Sequence, residues 1–581
     1  MEALLANRSG IREPRILNTL HKHLPMGEVH LSDTEMCQLL GVEDNDVINR
    51  TALMGAIACR EAMNEAKLPL ENAEKIELIC GTTVGGMTAT ERYFKEMQSA
   101  SQHLSVLATH DCGATTDIIA HAIGLKGCKT TTISTACSSA LNAIIMGAKI
   151  IQEGKADYVI AGGSEALTLF HVNGFNSLMI LDEKTCKPFD ISRKGLNLGE
   201  GAAFVIIESE ENARKRGVDP LAHIGGYGIS CDAYHQTASS SDGEGATLAM
   251  TEALKTSGLK AQNIDYINAH GTGTPNNDKS ESAALMRVFG NELPPTSSTK
   301  GYTGHTTSAS GSIETVICLL AMQNDFIPAS YGCTIPDPEC IIPQMTPVRT
   351  KLVHVMCNSF GFGGNDSALI LSSDDKLVNE TTNNRPEIFV HALVNGPTDN
   401  LRDFVTPIES RRMGTLLKSA LATSLTALRE AQISIPDEII TGTTYGMLEG
   451  SEKFLIQLCE NGEKELSPTL FMQSTHNTIG GLLAIKTKCH GYNITITQGE
   501  RTLECILDDA RRQLQINPGH TILVSYHDET TKLFAELAER ASERKLTVGV
   551  KSIALVLSTR KDGALCNLNE LKICGNSCSI V

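Results

Sequence analysis

The chain has 581 residues, 41% of them apolar and 20% charged, and its net charge is −17. This length allows more than one globular domain, and the negative charge disfavours a general nucleic-acid or anionic-membrane surface. No apolar run is long enough to span a bilayer, and the first residues lack the apolar core of a signal peptide. We therefore expect a cytoplasmic protein with reduced cysteines.

The 18 cysteines are scattered along the chain without C-x-x-C spacing, so the sequence predicts neither a disulfide framework nor a metal site. The last four residues, CSIV, match the C-a-a-X spacing of a prenylation signal. No polybasic run precedes them, and we interpret the match as chance.

Strand and helix patterns alternate through the first two thirds of the chain. Short apolar runs that end in glycine, at 75–86 and 157–166, are typical of buried strands, whereas 53–66 and 246–259 have apolar residues at helical spacing. This alternation predicts an α/β fold with a parallel or mixed sheet covered on both faces.

An internal repeat follows. The segment ICGTTVGGMTATERYF (79–94) recurs without a gap as ITGTTYGMLEGSEKFL (440–455), which indicates that the second part is a partial copy of the first. Two unrelated α/β domains with similar glycine loops are the alternative. A polar stretch without apolar periodicity lies between the copies, so we predict domains at 1–372 and 387–581 joined by a linker at 373–386.

One cysteine lies where a predicted strand meets a predicted helix. In KTTTISTACSSALNAII (129–145), Cys137 falls at the turn, where free backbone N–H groups and the helix dipole favour a thiolate and can bind an oxyanion. A buried, inert cysteine is equally compatible with this stretch. Three further loops rich in small residues add chemistry: His270 at 268–281, Lys300 with His305 at 297–314, and glycine-flanked phenylalanines at 357–371.

These four segments, TACSSA, NAHGTGTPNND, SSTKGYTGH and CNSFGFGG, together resemble the motifs of the β-ketoacyl synthase family. The resemblance is strongest to the condensing enzymes of type II fatty-acid and polyketide synthesis, and it covers nearly all of 1–372. It implies a thiolase-like αβαβα layered fold with mixed sheets, and a partial copy of that fold after residue 387.

The resemblance also implies a reaction. Cys137 would take an acyl chain from an acyl carrier protein, and its backbone N–H and that of Phe362 would bind the oxyanion. His270 and His305 would hold the malonyl thioester carbonyl and stabilise the enolate that forms as CO₂ leaves. Phe362 would also be the gate that admits malonyl groups.

Other residues would support this site. Lys300 and Glu314 are expected to orient His305, and Asp278 resembles the acidic residue that follows the first histidine motif; a structural ion-pair network is compatible with these roles. No metal or redox cofactor is expected. The expected partners are a separate acyl carrier protein and either a second copy of this chain or a related synthase.

The second copy is not expected to condense anything. Aligned with the first copy, it places Glu500 opposite Cys137 and Gln498 close by, while Cys505 falls more than a helical turn later. This half resembles a truncated chain-length factor, and we hypothesise that it shapes the acyl pocket. For the whole protein, a non-catalytic scaffold or a chain-length partner of another ketosynthase is the alternative function. Thiolase-like cleavage on coenzyme A is disfavoured because thiolases use a second cysteine as the base in place of a two-histidine site.

The sequence departs from the family pattern in several places. The usual opening strand, expected to be central to the sheet, has no counterpart before LLANRSGI, and we hypothesise that residues upstream of Met1 supply it. Residues 306–308 are more polar than usual, and Asn365–Asp366 replace a common Thr–Asn pair. The basic residue that often docks the carrier protein is absent; two pairs could substitute for it, namely Arg193 with Lys194 or Arg12 with Arg15.

Overall fold

The computed structural model describes the chain apart from residues 46, 71–72, 101, 376, 378–384, 543–544 and 581. Much of the predicted linker, 373–386, therefore lies outside the described residues. The strands are β1 Ile76–Gly81, β2 Lys129–Ile133, β3 Tyr158–Glu165, β4 Gly201–Glu208, β5 His223–Cys231, β6 Tyr266–Asn268, β7 Thr296–Ser297, β8 Phe326–Ile327, β9 Val348–Arg349, β10 His354–Gly361, β11 Asn365–Ser372, β12 Phe389–Gly396, β13 Glu438–Gly442, β14 Asn493–Ile496, β15 Thr521–Thr530, β16 Gly549–Ser558, β17 Cys566–Asn567, β18 Leu571–Cys574 and β19 Ser577–Ile580.

The helices surround and separate these strands. They are α1 Glu2–Leu5, α2 Asp33–Leu40, α3 Arg50–Glu65, α4 Met87–Ser99, α5 Cys112–Ala122, α6 Ser139–Gln152, α7 Leu169–Ser177, α8 Glu210–Arg216, α9 Glu244–Ser257, α10 Pro275–Phe289, α11 Lys300–Thr303, α12 Ser310–Gln323, α13 Pro407–Ser410, α14 Thr415–Glu430, α15 Leu448–Asn461, α16 Pro468–Met472, α17 Thr478–Thr487, α18 Thr502–Ile516 and α19 Lys532–Ser542.

The first half has five layers. Helices α3 and α5 cover one face of the sheet formed by β1–β4, and α6 and α12 cover the other face. These two central helices also contact the second sheet, whose order is β5-β11-β10-β6-β7, and α9 packs on the far face of that sheet. The strands β1 and β3 are buried along their whole length, as expected for strands covered on both faces. The predicted αβαβα layering is confirmed.

The predicted repeat is confirmed by the strand topology. In the first half β2, β1, β3 and β4 are neighbours, with the last pair antiparallel; in the second half β14, β13, β15 and β16 repeat the same order and directions. The second half is a three-layer structure, with α14 and α18 on opposite faces of its sheet.

The two halves share one sheet, which has ten strands in the described part of the chain. Strand β14 lies antiparallel to β2, with Ile496 opposite Ile133. Two backbone hydrogen bonds join them, from Ser134 N–H to the carbonyl of Thr495 and from Thr497 N–H to the carbonyl of Thr132, both 3.0 Å long. This pairing occupies the outer edge of β2, so a dimer of the whole chain would have to use another surface.

The expected central position of the opening strand is wrong. In the second half β12 pairs with the outer side of β16, beyond the core of the sheet. The corresponding place in the first half is the outer edge of β4, and no segment in the described ranges pairs there. The opening strand lies at the periphery because the parallel strands occupy the centre of the sheet in each half.

No helix among the described residues is long and apolar enough to cross a membrane. Within CSIV, Cys578 is buried in β19, which pairs with β18. A buried thiol in a paired strand does not present a prenylation acceptor, which agrees with our interpretation of that match as chance.

Candidate active site

Cys137 lies in a tight turn between β2 and α6. The residue before it, Ala136, has a φ of +52°, a left-handed conformation that costs energy for a residue with a side chain. Ser139 stabilises the turn, because its hydroxyl accepts a hydrogen bond from Thr135 N–H (2.9 Å) and donates one to the Ala136 carbonyl (2.6 Å). The sulfur is thereby held at the N-terminus of a buried helix.

The end of β10 lies directly against this turn. A Cβ atom on Gly361 would lie 2.9 Å from the Thr135 carbonyl oxygen and 3.1 Å from the Cys137 nitrogen, so only glycine fits. The next residue, Phe362, directs its backbone N–H to the sulfur of Cys137. The structure thus places a backbone donor from a second segment beside the reactive atom, as an oxyanion hole requires.

Both predicted histidines face the same point. His305 Nε2 lies 3.1 Å from Cys137 Sγ, and the rings of His270 and His305 meet edge to face with centroids 5.3 Å apart. All three side chains are buried. The carbonyl of Asn197 accepts the N–H of His305 at 2.7 Å, which anchors the loop that carries this ring.

The Lys300 side chain is buried beside these rings, although its contact differs from our expectation. We expected Lys300 and Glu314 to orient His305; instead the ammonium lies 3.3 Å from His270 Nδ1 and 2.5 Å from the His270 carbonyl oxygen, and it forms a 2.6 Å ion pair with Glu314. An ammonium can only donate, so Nδ1 of His270 is the acceptor and its proton lies on Nε2. His270 therefore presents an N–H donor to the site.

Two carboxylates near His270 have different roles. Asp278, which we predicted as a supporting residue, accepts the backbone N–H groups of Phe189 and Gly273 at 2.8 and 3.1 Å and shapes the surrounding loop. Glu281, which sequence reasoning missed, accepts the N–H groups of His270 and Gly271 at 2.8 and 2.7 Å. It lies only three residues after Asp278 in NNDKSE, and its position one turn along the same helix was the signal available.

A third carboxylate, Glu165, lies near the site, and sequence reasoning missed it. Glu165 is fully buried at the end of β3 and accepts the hydroxyls of Thr82 and Thr307, each at 2.9 Å, and the N–H of Thr83 at 3.0 Å. Of the polar residues at 306–308, Thr307 is therefore part of an internal network. Thr307 needs its hydroxyl for this contact, which accounts for one of the departures from the family pattern.

Burial dominates the protonation states. It raises the pKa of the Cys137 thiol to about 12, although the charge of Lys300 and the N–H of Phe362 act in the opposite direction. Burial, followed by the charge of Lys300, holds the pKa of His270 and of His305 well below the usual value. The resting site thus contains a neutral thiol and two neutral imidazoles. We expected the helix N-terminus to favour a thiolate, but desolvation outweighs that effect.

The same cluster has the donor types of a metal site. The ligand atoms of Cys137, His270 and His305 all lie within 4.8 Å of one another, and thiolate with imidazole suits zinc. However, the Lys300 ammonium next to His270 opposes a cation, and the thiol would first have to lose its proton. The expectation of a metal-free site stays a prediction.

The second half repeats the turn without the thiol. Gly499 has a φ of +54°, close to that of Ala136, and Thr502 forms the same two hydrogen bonds that Ser139 forms in the first half. Glu500 occupies the cysteine position and is exposed. Cys505 is buried within α18, away from the turn. The turn is therefore shared architecture, and its chemistry differs between the halves.

The basic residues proposed to dock the carrier protein differ in solvent exposure. Arg193 is buried and bound to Asp337 at 2.6 Å, so it cannot dock a partner, and that part of the expectation is wrong. Lys194, Arg12 and Arg15 are exposed.

Comparison with known proteins identifies the family. Family models described as "Beta-ketoacyl synthase, N-terminal domain" match residues 26–213 and again 387–576, and the corresponding C-terminal domain matches 221–334. The 3-oxoacyl-[acyl-carrier-protein] synthase 2 of Synechocystis sp. is 36% identical over 359 residues, which are 59% of this chain and 86% of that protein. The chain belongs to the β-ketoacyl synthase family. This β-ketoacyl synthase is an acyltransferase with a condensing role in fatty-acid or polyketide synthesis.

Solved structures extend the likeness to both halves of the β-ketoacyl synthase. The ishigamide ketosynthase/chain length factor is 30% identical with a TM-score of 0.60, over 64% of this chain and 94% of that one. The PfaC keto synthase–chain length factor has a TM-score of 0.78 and covers 96% of this chain and 76% of that one; at 14% identity it shows the fold alone.

Proposed function

We propose that this protein condenses an acyl thioester bound at Cys137 with malonyl-acyl carrier protein. The observation that carries the proposal is the 3.1 Å contact between Cys137 Sγ and His305 Nε2, with the N–H of Phe362 directed to the same sulfur. A thiol with a pKa of about 12 keeps its proton at neutral pH, so attack needs a base within reach. His305 Nε2 is that base.

In the first step the Cys137 sulfur attacks the thioester carbonyl as His305 takes its proton. The oxyanion binds the N–H groups of Cys137 and Phe362, and the proton leaves with the carrier thiol as the old C–S bond breaks. In the second step the malonyl C–C bond breaks and CO₂ leaves. His305 Nε2, which lost its proton in the first step, takes a new proton from solvent. The Nε2–H groups of His270 and His305 then bind the enolate oxygen; the enolate carbon attacks the acyl-cysteine, its C–S bond breaks, and the proton on His305 Nε2 passes to the released Cys137 thiolate.

The carrier protein and the compartment belong to this proposal. The names of the curated relatives place their substrates on an acyl carrier protein, and carrier-bound thioesters are the substrates that we propose here, in the cytoplasm and without a metal or redox cofactor. Exposed Lys194, Arg12 and Arg15 offer positive charge for docking on an otherwise acidic chain.

The decisive experiment incubates the full chain with acyl- and malonyl-loaded carrier protein and follows the intact mass of the enzyme. We expect an acyl adduct that disappears in Cys137→Ala and a His305→Ala variant that no longer condenses. Cys459→Ala, which removes an exposed thiol in the second half, is the matched control and should retain the adduct. An adduct that persists without Cys137 would overturn the proposal.

We also propose that residues 387–581 shape the acyl pocket, as a chain-length unit in the same chain. A small cleft of about 40 Å³ is lined by both halves. Phe471 of the second half forms its wall towards the gate: its ring lies against Gly174 and 5.4 Å from the ring of Phe175, which stacks on Phe362 at 5.9 Å.

The product length tests this role. Phe471→Ala opens the wall, so we expect longer products from the same starter, read by mass spectrometry. Phe404→Ala is the control, since this ring in the second half packs against Arg429 and does not line the cleft. Unchanged product length in Phe471→Ala would contradict the pocket-shaping role.

A further inference from the structure

The gate is held from within the catalytic half at its glycines, because Gly363 N–H donates to the carbonyl of Gln236 and the carbonyl of Gly364 accepts the N–H of Asp232, both at 2.8 Å. It consists of residues 361–365, between β10 and β11, and Gly363 and Gly364 have φ values of +84° and +77°. Such glycines make a tight turn possible, but they also leave the loop with few side chains to anchor it. Phe362 stacks on Phe175, while the carbonyl of Phe362 is directed away from Cys137 towards the second half.

One side-chain amide of the second half donates a hydrogen bond to that carbonyl. Asn477 Nδ2 donates to the Phe362 carbonyl oxygen at 2.7 Å and to Asn365 Oδ1 at 2.8 Å. Asn365 in turn donates to the carbonyl of Asn493 at 2.8 Å. Asn477 is 1% exposed, so an unmade hydrogen bond here is not replaced by bulk water.

Backbone contact reinforces this link. Gly481 lies one turn further along α17, and a Cβ atom there would lie 2.8 Å from the carbonyl oxygen of Gly363 and 2.9 Å from its Cα. The helix of the second half and the gate of the first half therefore touch without any side chain between them.

We propose that Asn477 is a positioning residue for the catalytic half: it fixes Phe362 so that its N–H is directed at the sulfur of Cys137. Asn477 holds the carbonyl of Phe362 at 2.7 Å, and the N–H of the same residue is the group that acts on the Cys137 thiol, so a displacement of the carbonyl also displaces the N–H. This inference rests on the proposed role of Cys137, and it gives the non-catalytic half a direct part in the chemistry.

The test distinguishes a displaced gate from a loss of folding stability. Acylation of Cys137 by an acyl thioester is timed by rapid quench and intact mass, alongside thermal unfolding, in the full chain. Asn477→Ala should slow acylation about tenfold or more, because loss of one oxyanion donor costs about 10²–10³ and a displaced donor somewhat less. Asn400→Ala is the matched control: Asn400 donates to Thr426 within the second half, remote from the gate, and its loss should leave acylation unchanged.

A second variant perturbs the gate without removing a hydrogen bond. Gly481→Ala improves helix propensity but forces the backbone at Gly363 to shift, so acylation should slow while the melting temperature stays at or somewhat below that of the wild type. If Asn477→Ala fails to fold, this variant still tests the gate proposal. Wild-type acylation rates in Gly481→Ala or in folded Asn477→Ala would overturn the gate proposal, whereas a wild-type enzyme that takes no adduct at Cys137 would overturn the proposed function itself.

Discussion

Substitutions at the ion pair between Lys300 and Glu314 should change the stability of the protein and its condensation rate independently. Both side chains are buried and their charges lie 2.6 Å apart, which corresponds to an attraction of about 6 kcal/mol at an effective dielectric constant of about 20. Desolvation offsets much of this attraction, so removal of one partner costs about 3–5 kcal/mol through the stranded charge. We therefore expect Lys300→Met to destabilise the protein by about that amount.

The double variant Lys300→Met/Glu314→Leu leaves no stranded charge and should recover most of the lost stability. It should still condense about 10²-fold more slowly, because His270 Nδ1 has lost the donor that keeps its proton on Nε2. Thermal unfolding and single-turnover condensation measure the two effects. Lys129→Met, which breaks a partly exposed pair with Asp508, is the control and should cost about 1 kcal/mol or less. A double variant that condenses at nearly the wild-type rate would refute the assignment of the His270 tautomer.

Two carboxyl groups give pH-dependent predictions. Burial, and then the neighbouring Asp232 and Glu281, raise the pKa of Asp366, so its contribution to stability is present below the unfolded pKa and is lost as pH rises through the folded one. Asp366→Asn should therefore melt about 2 °C or more above the wild type at pH 8, with a smaller difference at pH 5, and a pH-independent difference would contradict this. Burial raises the pKa of Glu281 to about 7, and its protonation removes an acceptor from the His270 loop. The turnover rate should fall as pH falls through about 7, and Glu281→Gln should be slow and lack this dependence; a Gln variant that retains it would exclude Glu281 as its source.

The residues found from the sequence are those held in short, contiguous motifs. Cys137, His270 and His305 each lie in a short segment rich in small residues, so the local sequence is enough to identify them. Asn477 acts on Phe362 across 115 positions of the chain, and no local pattern encodes that contact. The expected thiolate at Cys137 was wrong for the same reason. The helix N-terminus can be predicted from the sequence, whereas the burial that raises the pKa of the Cys137 thiol depends on the assembled core.

The retained turn of the second half has a structural reason that does not involve catalysis. Its left-handed Gly499 follows Gln498, whose amide oxygen accepts the hydroxyl of Thr132 at 2.9 Å and whose nitrogen donates to Asp117 at 3.0 Å. Both partners lie in the first half, beside the β2–β14 junction. A different backbone path at this turn would withdraw the Gln498 side chain from a buried interface and leave Thr132 without that acceptor, at a cost of about 1–3 kcal/mol. The turn of the second half therefore lacks the nucleophile, while its geometry is still required to join the second half to the first.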